Sequence, residues 1–127
     1  MWVSFGNFAI ELNEHDVEAL MMKTLEINSK VEFERIIDSD KPVLIDFWAP
    51  WCAPCKMVAP EVEAIAESYA DKAVVCKINV DEQSNIAAEF QVMSIPTLVL
   101  FKDGKEVTRI VGYKPRQEIA KVLDGLL

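Results

Sequence analysis

The sequence predicts an α/β protein with a central mixed β-sheet that is flanked by helices on both faces. From about Leu25 onward, strand-like apolar runs alternate with segments of helical periodicity. The run Pro42–Ala49 is apolar almost throughout, which is typical of a strand covered on both faces. An Asp-Gly pair between two later apolar runs indicates an antiparallel hairpin. Helical crossovers join parallel strands, so the sheet is expected to be mixed.

The size and charge of the chain bound its function. Its 127 residues are enough for one domain with its own hydrophobic core. The net charge of −8 lacks the electrostatic footprint of a nucleic-acid-binding protein. Uncharged apolar runs are only strand-length, so no transmembrane helix is expected. Residues 1–12 lack a basic n-region, and no small-residue cleavage site follows them. A secretory signal is therefore not expected, and the cytoplasm is favoured.

The first helix is predicted from its N-terminus. Ser29 and Glu32 have the spacing of a capping box, in which the serine hydroxyl accepts from the Glu32 amide and the glutamate reaches back. The helix is expected to end near residues 38–40. The strand at residues 42–49 follows, and Asp46 is the one acidic residue inside it.

The other elements continue the alternation. A helix is expected to start at or near Cys52 and to bend at Pro60, which removes a backbone donor and crowds the preceding turn. The further elements are a strand at Val74–Val80, a helix at Ser84–Phe90, strands at Thr97–Phe101 and Val107–Val111, and a closing helix from Pro115 to Leu127. The predicted order is β-α-β-α-β-α-β-β-α.

Cys52 and Cys55 form a C-x-x-C at a strand-to-helix junction. The unpaired amides and partial positive charge of a helix N-terminus favour a thiolate, so the pKa of Cys52 is expected to lie below that of a free cysteine. Cys55 lies one turn further in, within reach of a mixed disulfide, and is expected to be more shielded. The third cysteine, Cys76, lies in an apolar stretch and is interpreted as a small buried hydrophobe.

The neighbours of these cysteines resemble a known family. Residues 46–56, DFWAPWCAPCK, closely resemble the active-site segment of thioredoxins, and Ile95-Pro96-Thr97 resembles their cis-proline loop. Pro60, Lys102-Asp103-Gly104 and Val111-Gly112 match their helix-kinking proline, hairpin and following glycine. The resemblance implies a thioredoxin fold. We expect a thioredoxin domain at residues 23–127, preceded by an extension of unknown role at residues 1–22.

The resemblance implies a protein-disulfide oxidoreductase that reduces target proteins. Cys52 would attack the target disulfide, and Cys55 would resolve the mixed disulfide. Asp46 would accept the proton of Cys55, since burial raises the pKa of a carboxyl group. Lys77 matches the family lysine near this acid and would modulate it, although the same residue also fits an ordinary solvated strand lysine. No bound cofactor or metal is expected beyond the redox-active Cys52–Cys55 disulfide.

The resemblance also implies a surface for protein substrates. Pro96 would face the cysteines, and the backbone of Ile95 would pair with an extended substrate segment. An apolar rim is expected from Trp51, Ala49, Pro50 and Met93, and Ala53, Pro54 and Gly112 complete the substrate-binding candidates. A flavin-dependent thioredoxin reductase is the implied partner that recharges the pair.

Ala53 departs from the family pattern, because most thioredoxins have glycine after the first cysteine. Alanine favours helix over glycine by about 1 kcal/mol. It also adds a methyl group beside the thiolate. Both changes act on the pKa of Cys52 and on the reduction potential, so the position of this protein between reductant and oxidant stays open.

Other functions would use the same fold or the same cysteines. An oxidant or isomerase would use the same cysteines, and a non-catalytic interaction module would need only the fold. A structural zinc half-site is disfavoured because only Cys76 and His15 remain as ligands, without ligand spacing. Residues 1–22 are either upstream sequence, since Met21 or Met22 could be a natural start, or a segment that packs on the domain, swaps into a partner or restricts access to the site. The protein is expected to be a monomer, unless it associates through these residues.

Overall fold

The computed structural model describes residues 2–5, 8–11 and 24–127. Strands β1 (Trp2–Phe5) and β2 (Phe8–Glu11) form an antiparallel hairpin. A separate sheet has the order β3-β5-β4-β6-β7. Its strands are β3 (Leu25–Glu26), β4 (Val43–Trp48), β5 (Val74–Asn79), β6 (Thr97–Lys102) and β7 (Lys105–Val111). β5 pairs in parallel with both β3 and β4, while β6 is antiparallel to β4 and β7 is antiparallel to β6.

Among the described residues, four helices cover this sheet on both faces. They are α1 (Lys30–Ile37), α2 (Ala53–Ser68), α3 (Ser84–Glu89) and α4 (Arg116–Asp124). Helices α2 and α4 pack on one face, and α1 and α3 pack on the other. The predicted α/β fold and the order of elements from Leu25 onward are confirmed.

The packing of strand β4 explains why its sequence is apolar almost throughout. Leu44 packs with α2 and α4, whereas its neighbours Val43 and Ile45 pack with α1 and α3. Successive side chains of a strand point to opposite faces, so a central strand covered on both sides is apolar at every position. Asp46 is the exception, on the face covered by α2.

Two local predictions are confirmed, one of them with a change of partner. The Ser29 hydroxyl accepts from the Glu32 amide at 3.1 Å, but the Glu32 carboxylate accepts from the N–H of Asn28, not from that of residue 29. The long glutamate side chain reaches one residue further out than in a capping box. In the predicted hairpin, Asp103 and Gly104 both have positive φ, at 53° and 79°, as a type I′ turn requires.

The antiparallel part of the sheet is larger than the predicted edge. The connection through α3 reverses the chain, so β6 lies antiparallel to β4 inside the sheet. Sequence patterns mark a helix between two strands but do not fix the direction in which the second strand enters the sheet.

The β1–β2 hairpin was not predicted. Gly6-Asn7 separates the two strands in the sequence, and a Gly-Asn pair between apolar runs is a hairpin signal. The sequence also predicts a short helix through Leu20, capped by residues 13–16, and a surface position for His15. Both fall outside the residues that the structure describes. Within the described part of the chain, no helix is long and apolar enough to span a membrane.

Three aromatic rings join α1 and the end of α3 to the sheet. The ring centroid of buried Phe33 lies 5.2 Å from that of Phe90 and 5.7 Å from that of Phe101, both edge-to-face. We expect Phe33→Ala to lower the free energy of unfolding by about 3–5 kcal/mol, through lost burial and a cavity. Urea unfolding followed by circular dichroism measures this.

The matched control is Val31→Ala on the same helix, because the Val31 side chain is 65% exposed. This change is expected to stay within about 0.5 kcal/mol of the wild type. A loss of less than about 1 kcal/mol for Phe33→Ala would contradict the burial of Phe33 against Phe90 and Phe101.

Candidate active site

The two cysteines lie where β4 gives way to α2. Cys52 is the N-cap of α2, and its sulfur accepts the N–H of Cys55 at 3.2 Å. The two residues are joined by a disulfide, with their Cα atoms 5.2 Å apart. Pro54 lies in the first turn, where its missing N–H costs no helical hydrogen bond. The sulfur of Cys52 thus lies among the free amides of a helix N-terminus, which favour the thiolate once the disulfide is reduced.

The exposure of the two cysteines differs little. Cys52 is 5% exposed and Cys55 is 3% exposed in this disulfide-bonded state. The predicted contrast in shielding is therefore small. Ala53, at the start of α2, has an exposed side chain that the helix accommodates without burying it.

The loop before β6 faces the cysteines. The Ile95–Pro96 peptide bond is cis, in agreement with the resemblance. The sulfur of Cys52 lies 3.7 Å from the carbonyl oxygen of Ile95. The N–H of Gly112 donates to the carbonyl of Pro96 at 2.8 Å, and the φ of +85° at Gly112 is a conformation that favours glycine. The loop and the end of β7 therefore form one connected rim beside the disulfide.

Asp46 lies buried beneath the cysteines. The residue is 4% exposed, and its Oδ1 atom has no hydrogen-bond partner among the described residues. Burial raises the pKa of this carboxyl group to about 7; the nearby positive charge of Lys77 opposes the rise, and the negative charge of Glu26 adds to it. Asp46 and Cys55 line the same pocket of about 300 Å³, so an acid that titrates near neutrality is placed beside the inner cysteine.

Lys77 lies beside Asp46 in the sheet but forms its ion pair elsewhere. The two residues are register partners on β5 and β4, and both line the pocket. The Nζ atom of Lys77 lies 3.8 Å from Oε2 of Glu26 and 5.4 Å from the ring centroid of Trp48. Glu26 was not a predicted site residue. Only the pairing of β3 with β5 brings it to Lys77, and no local sequence signal marks this pairing.

Three of the four residues expected to form the apolar rim are exposed. Trp51 and Met93 are 68% and 92% exposed, and Pro50 is also exposed. Ala49 was wrongly expected on this rim. It is fully buried and packs with the cysteines beneath the surface. Asp81 was missed: its carboxylate accepts the indole N–H of Trp51 at 2.9 Å and so orients the exposed ring.

Cys76 lies fully buried on the α1–α3 face of the sheet, opposite the face that carries Asp46. Burial raises the pKa of this thiol to about 12, so it stays protonated and unreactive at neutral pH. Among the described residues, no group of three or more His, Cys, Asp or Glu side chains could hold a metal ion.

The geometry is that of dithiol–disulfide exchange, and it places the protein among the thiol–disulfide oxidoreductases. The thioredoxin family model matches residues 24–125. The chain is 50% identical over 95 residues to thioredoxin of Alicyclobacillus acidocaldarius, covering 75% of this chain and 90% of that protein. It is 48% identical over 91 residues to thioredoxin 1 of Synechococcus elongatus, covering 72% and 85%. The solved structure of Malassezia sympodialis thioredoxin matches with a TM-score of 0.76 at 38% identity, covering 81% and 90%.

The chain therefore belongs to the thioredoxin family. It is a protein-disulfide reductase whose redox centre is the Cys52–Cys55 pair. The fold, the site and the relatives give no support to an oxidant, an isomerase or a non-catalytic module over this activity.

The burial of Asp46 predicts a pH-dependent stability. Its folded-state pKa of about 7 lies above the ordinary value of 3.8, so between these values the folded protein binds more protons than the unfolded chain. The stability that protonated Asp46 contributes is fully present below about pH 4 and is lost as the pH rises through about 7. Asp46→Asn removes this titration.

We therefore expect the stability of Asp46→Asn, relative to the wild type, to rise by on the order of 3 kcal/mol between pH 4 and pH 8. Urea unfolding of both oxidised proteins across this range measures the difference. A difference that does not change with pH would show that the pKa of Asp46 is the same in the folded protein and in the unfolded chain.

Proposed function

We propose that the protein reduces disulfides of cytoplasmic protein targets through separate roles of Cys52, Cys55 and Asp46. The observation that carries the proposal is the position of the cysteine pair. The sulfur of Cys52 caps a helix, while Cys55 shares a pocket with a buried acid that titrates near neutrality.

In the first step, the thiolate of Cys52 attacks one sulfur of the target disulfide. A mixed disulfide forms, the target S–S bond breaks, and the second target sulfur leaves as a thiolate that takes up a proton. The free amides at the N-terminus of α2 support this step because they stabilise the negative charge on the attacking sulfur.

In the second step, Cys55 transfers its proton to Asp46 and attacks the sulfur of Cys52. The mixed disulfide breaks, the Cys52–Cys55 bond forms, and the target sulfur leaves as a thiolate that takes up a proton from water, while Asp46 returns the Cys55 proton to water. Over both steps the target gains two electrons from the cysteine pair and two protons. A carboxyl group with a pKa of about 7 suits this role, since a base works best near the operating pH. Lys77 modulates Asp46 through its positive charge in the same pocket.

An extended segment of the target lies across the rim beside the disulfide. The carbonyl of Ile95 is 3.7 Å from the sulfur of Cys52, close enough for the Ile95 backbone to align a bound strand with the nucleophile. Pro96 and Gly112 hold this edge, and Trp51, Ala53, Pro54 and Met93 supply the exposed contact surface.

The oxidised protein returns to the dithiol form through a flavin-dependent thioredoxin reductase. Membership of the thioredoxin family supports this partner and the cytoplasmic location. The cysteine pair supplies the redox chemistry without a bound cofactor.

The two cysteine roles predict two different mutant phenotypes in insulin reduction. Cys52→Ser removes the nucleophile and is expected to lower the rate at least about 100-fold. Cys55→Ser retains the nucleophile and lacks the resolving thiol, so it accumulates mixed disulfides with targets, visible on non-reducing gels. Cys76→Ala is the matched control and retains activity. Full activity in either active-site variant would overturn the assignment.

The proposed role of Asp46 predicts a slower turnover without loss of the fold. Asp46→Ala is expected to reduce the rate of insulin reduction near pH 7 by roughly 10–100-fold, because Cys55 loses its proton acceptor. Asp71→Ala, at an exposed turn residue, is the control. An unchanged rate for Asp46→Ala, with an unchanged circular dichroism spectrum, would remove Asp46 from the mechanism.

A further inference from the structure

Three charged residues lie in one row across the sheet. Glu26 of β3 pairs in register with Lys77 of β5, and Lys77 pairs in register with Asp46 of β4. Side chains of register partners project from the same face of a sheet. One ammonium group therefore lies between two carboxyl groups, on the face that α2 covers.

Lys77 does not lie equally between these two acids. Its Nζ atom is 3.8 Å from Oε2 of Glu26, and among the described residues it forms no ion pair within 4.0 Å of Asp46. The Glu26 and Lys77 side chains are 31% and 36% exposed, and Glu26 lies on the edge strand β3. Asp46 is 4% exposed, and its Oδ1 atom has no hydrogen-bond partner in the part of the chain that the structure describes. The buried acid is thus the one left without direct pairing.

Two electrostatic effects of Glu26 act on Asp46 in the same direction. The negative charge of Glu26 directly disfavours a second negative charge nearby. It also attracts Lys77, whose ammonium group would stabilise ionised Asp46 if it moved inward along the row. Loss of the Glu26 charge therefore removes its repulsion of ionised Asp46 and leaves Lys77 free to move toward Asp46.

We propose that Glu26 is a positioning residue of the redox site: its carboxylate holds the Lys77 ammonium at the sheet edge and limits how strongly Lys77 stabilises ionised Asp46. The inference rests on the proton-acceptor role proposed for Asp46. Through Lys77, Glu26 keeps that acid able to take up a proton near neutral pH.

Other titratable groups face the same row. Lys56 and Cys55 of α2 line the pocket beside Asp46. Glu82, after β5, adds to the raised pKa of Glu26, which is caused chiefly by burial. These three groups remain in place when only Glu26 is changed.

The test is Glu26→Gln in the full chain, which removes the charge and keeps the side-chain shape. Carboxyl NMR titration of Asp46 in the oxidised protein and the pH profile of insulin reduction are the two readouts. We expect both midpoints to move to lower pH by roughly half a unit. Glu26→Asp keeps a shorter charged group and is expected to shift less. Glu34→Gln, on the opposite face of the molecule in α1, is the matched control and leaves both midpoints unchanged.

A double-mutant cycle tests whether Glu26 acts through Lys77. In a Lys77→Gln background, Glu26→Gln is expected to shift the Asp46 titration by less than half as much as in the wild type. Equal shifts in both backgrounds would overturn the positioning role, as would unmoved midpoints in Glu26→Gln.

Failure of the proton-acceptor role itself is recognised separately. Asp46→Asn is expected to abolish the acid limb of the pH profile. If that limb persists in Asp46→Asn, the role of Asp46 is wrong. If the limb disappears in Asp46→Asn but does not move in Glu26→Gln, only the inference about Glu26 is wrong.

Discussion

The chemistry of this protein depends on the burial of Val43–Phe47 of β4 between two layers of helices. Because both faces of the strand are covered, any carboxyl group on it is held away from water, and Asp46 is such a group. The cost of an unpaired buried charge moves its pKa to about 7. The strand ends a few residues before Cys52, which is the N-cap of α2. The helix that covers Asp46 therefore also carries the cysteines at its N-terminus. This constraint affects both stability and function. A better-solvated acid would lower the free energy of unfolding less, but it would be ionised at neutral pH.

The surroundings of Cys52 and of Asp46 have opposite effects on negative charge. The N-terminus of α2 favours negative charge at Cys52, whereas the protein around Asp46 disfavours it. Groups whose environments move their pKa values apart are suited to different steps of one reaction. Cys76 shows that burial alone does not create reactivity, because its thiol lies on the other face of the sheet, away from the helix N-terminus.

The substrate surface is built from side chains that the core leaves outside. Trp51 is exposed but tied to Asp81, so the ring offers apolar area with a restricted orientation. Met93 is almost fully exposed and has flexible torsions, which suits contact with varied partners. Ala49 is the sequence neighbour of exposed Pro50, but its own side chain is buried and packs against Cys52 and Cys55.

The sequence by itself determined the features that depend on nearby residues. Apolar periodicity located the elements from Leu25 onward and Asp103-Gly104 located the hairpin, because backbone propensity and turn geometry are local. The position of the two cysteines at a helix N-terminus and the resemblance of their segment to thioredoxins identified the redox pair. The N-terminal hairpin was also marked locally, by Gly6-Asn7, although it was not predicted. Only the tertiary structure decided the direction of β6, the burial of Ala49 and the pairing of Glu26 with Lys77. These depend on strand register and layer packing between residues far apart in the chain, which periodicity does not encode.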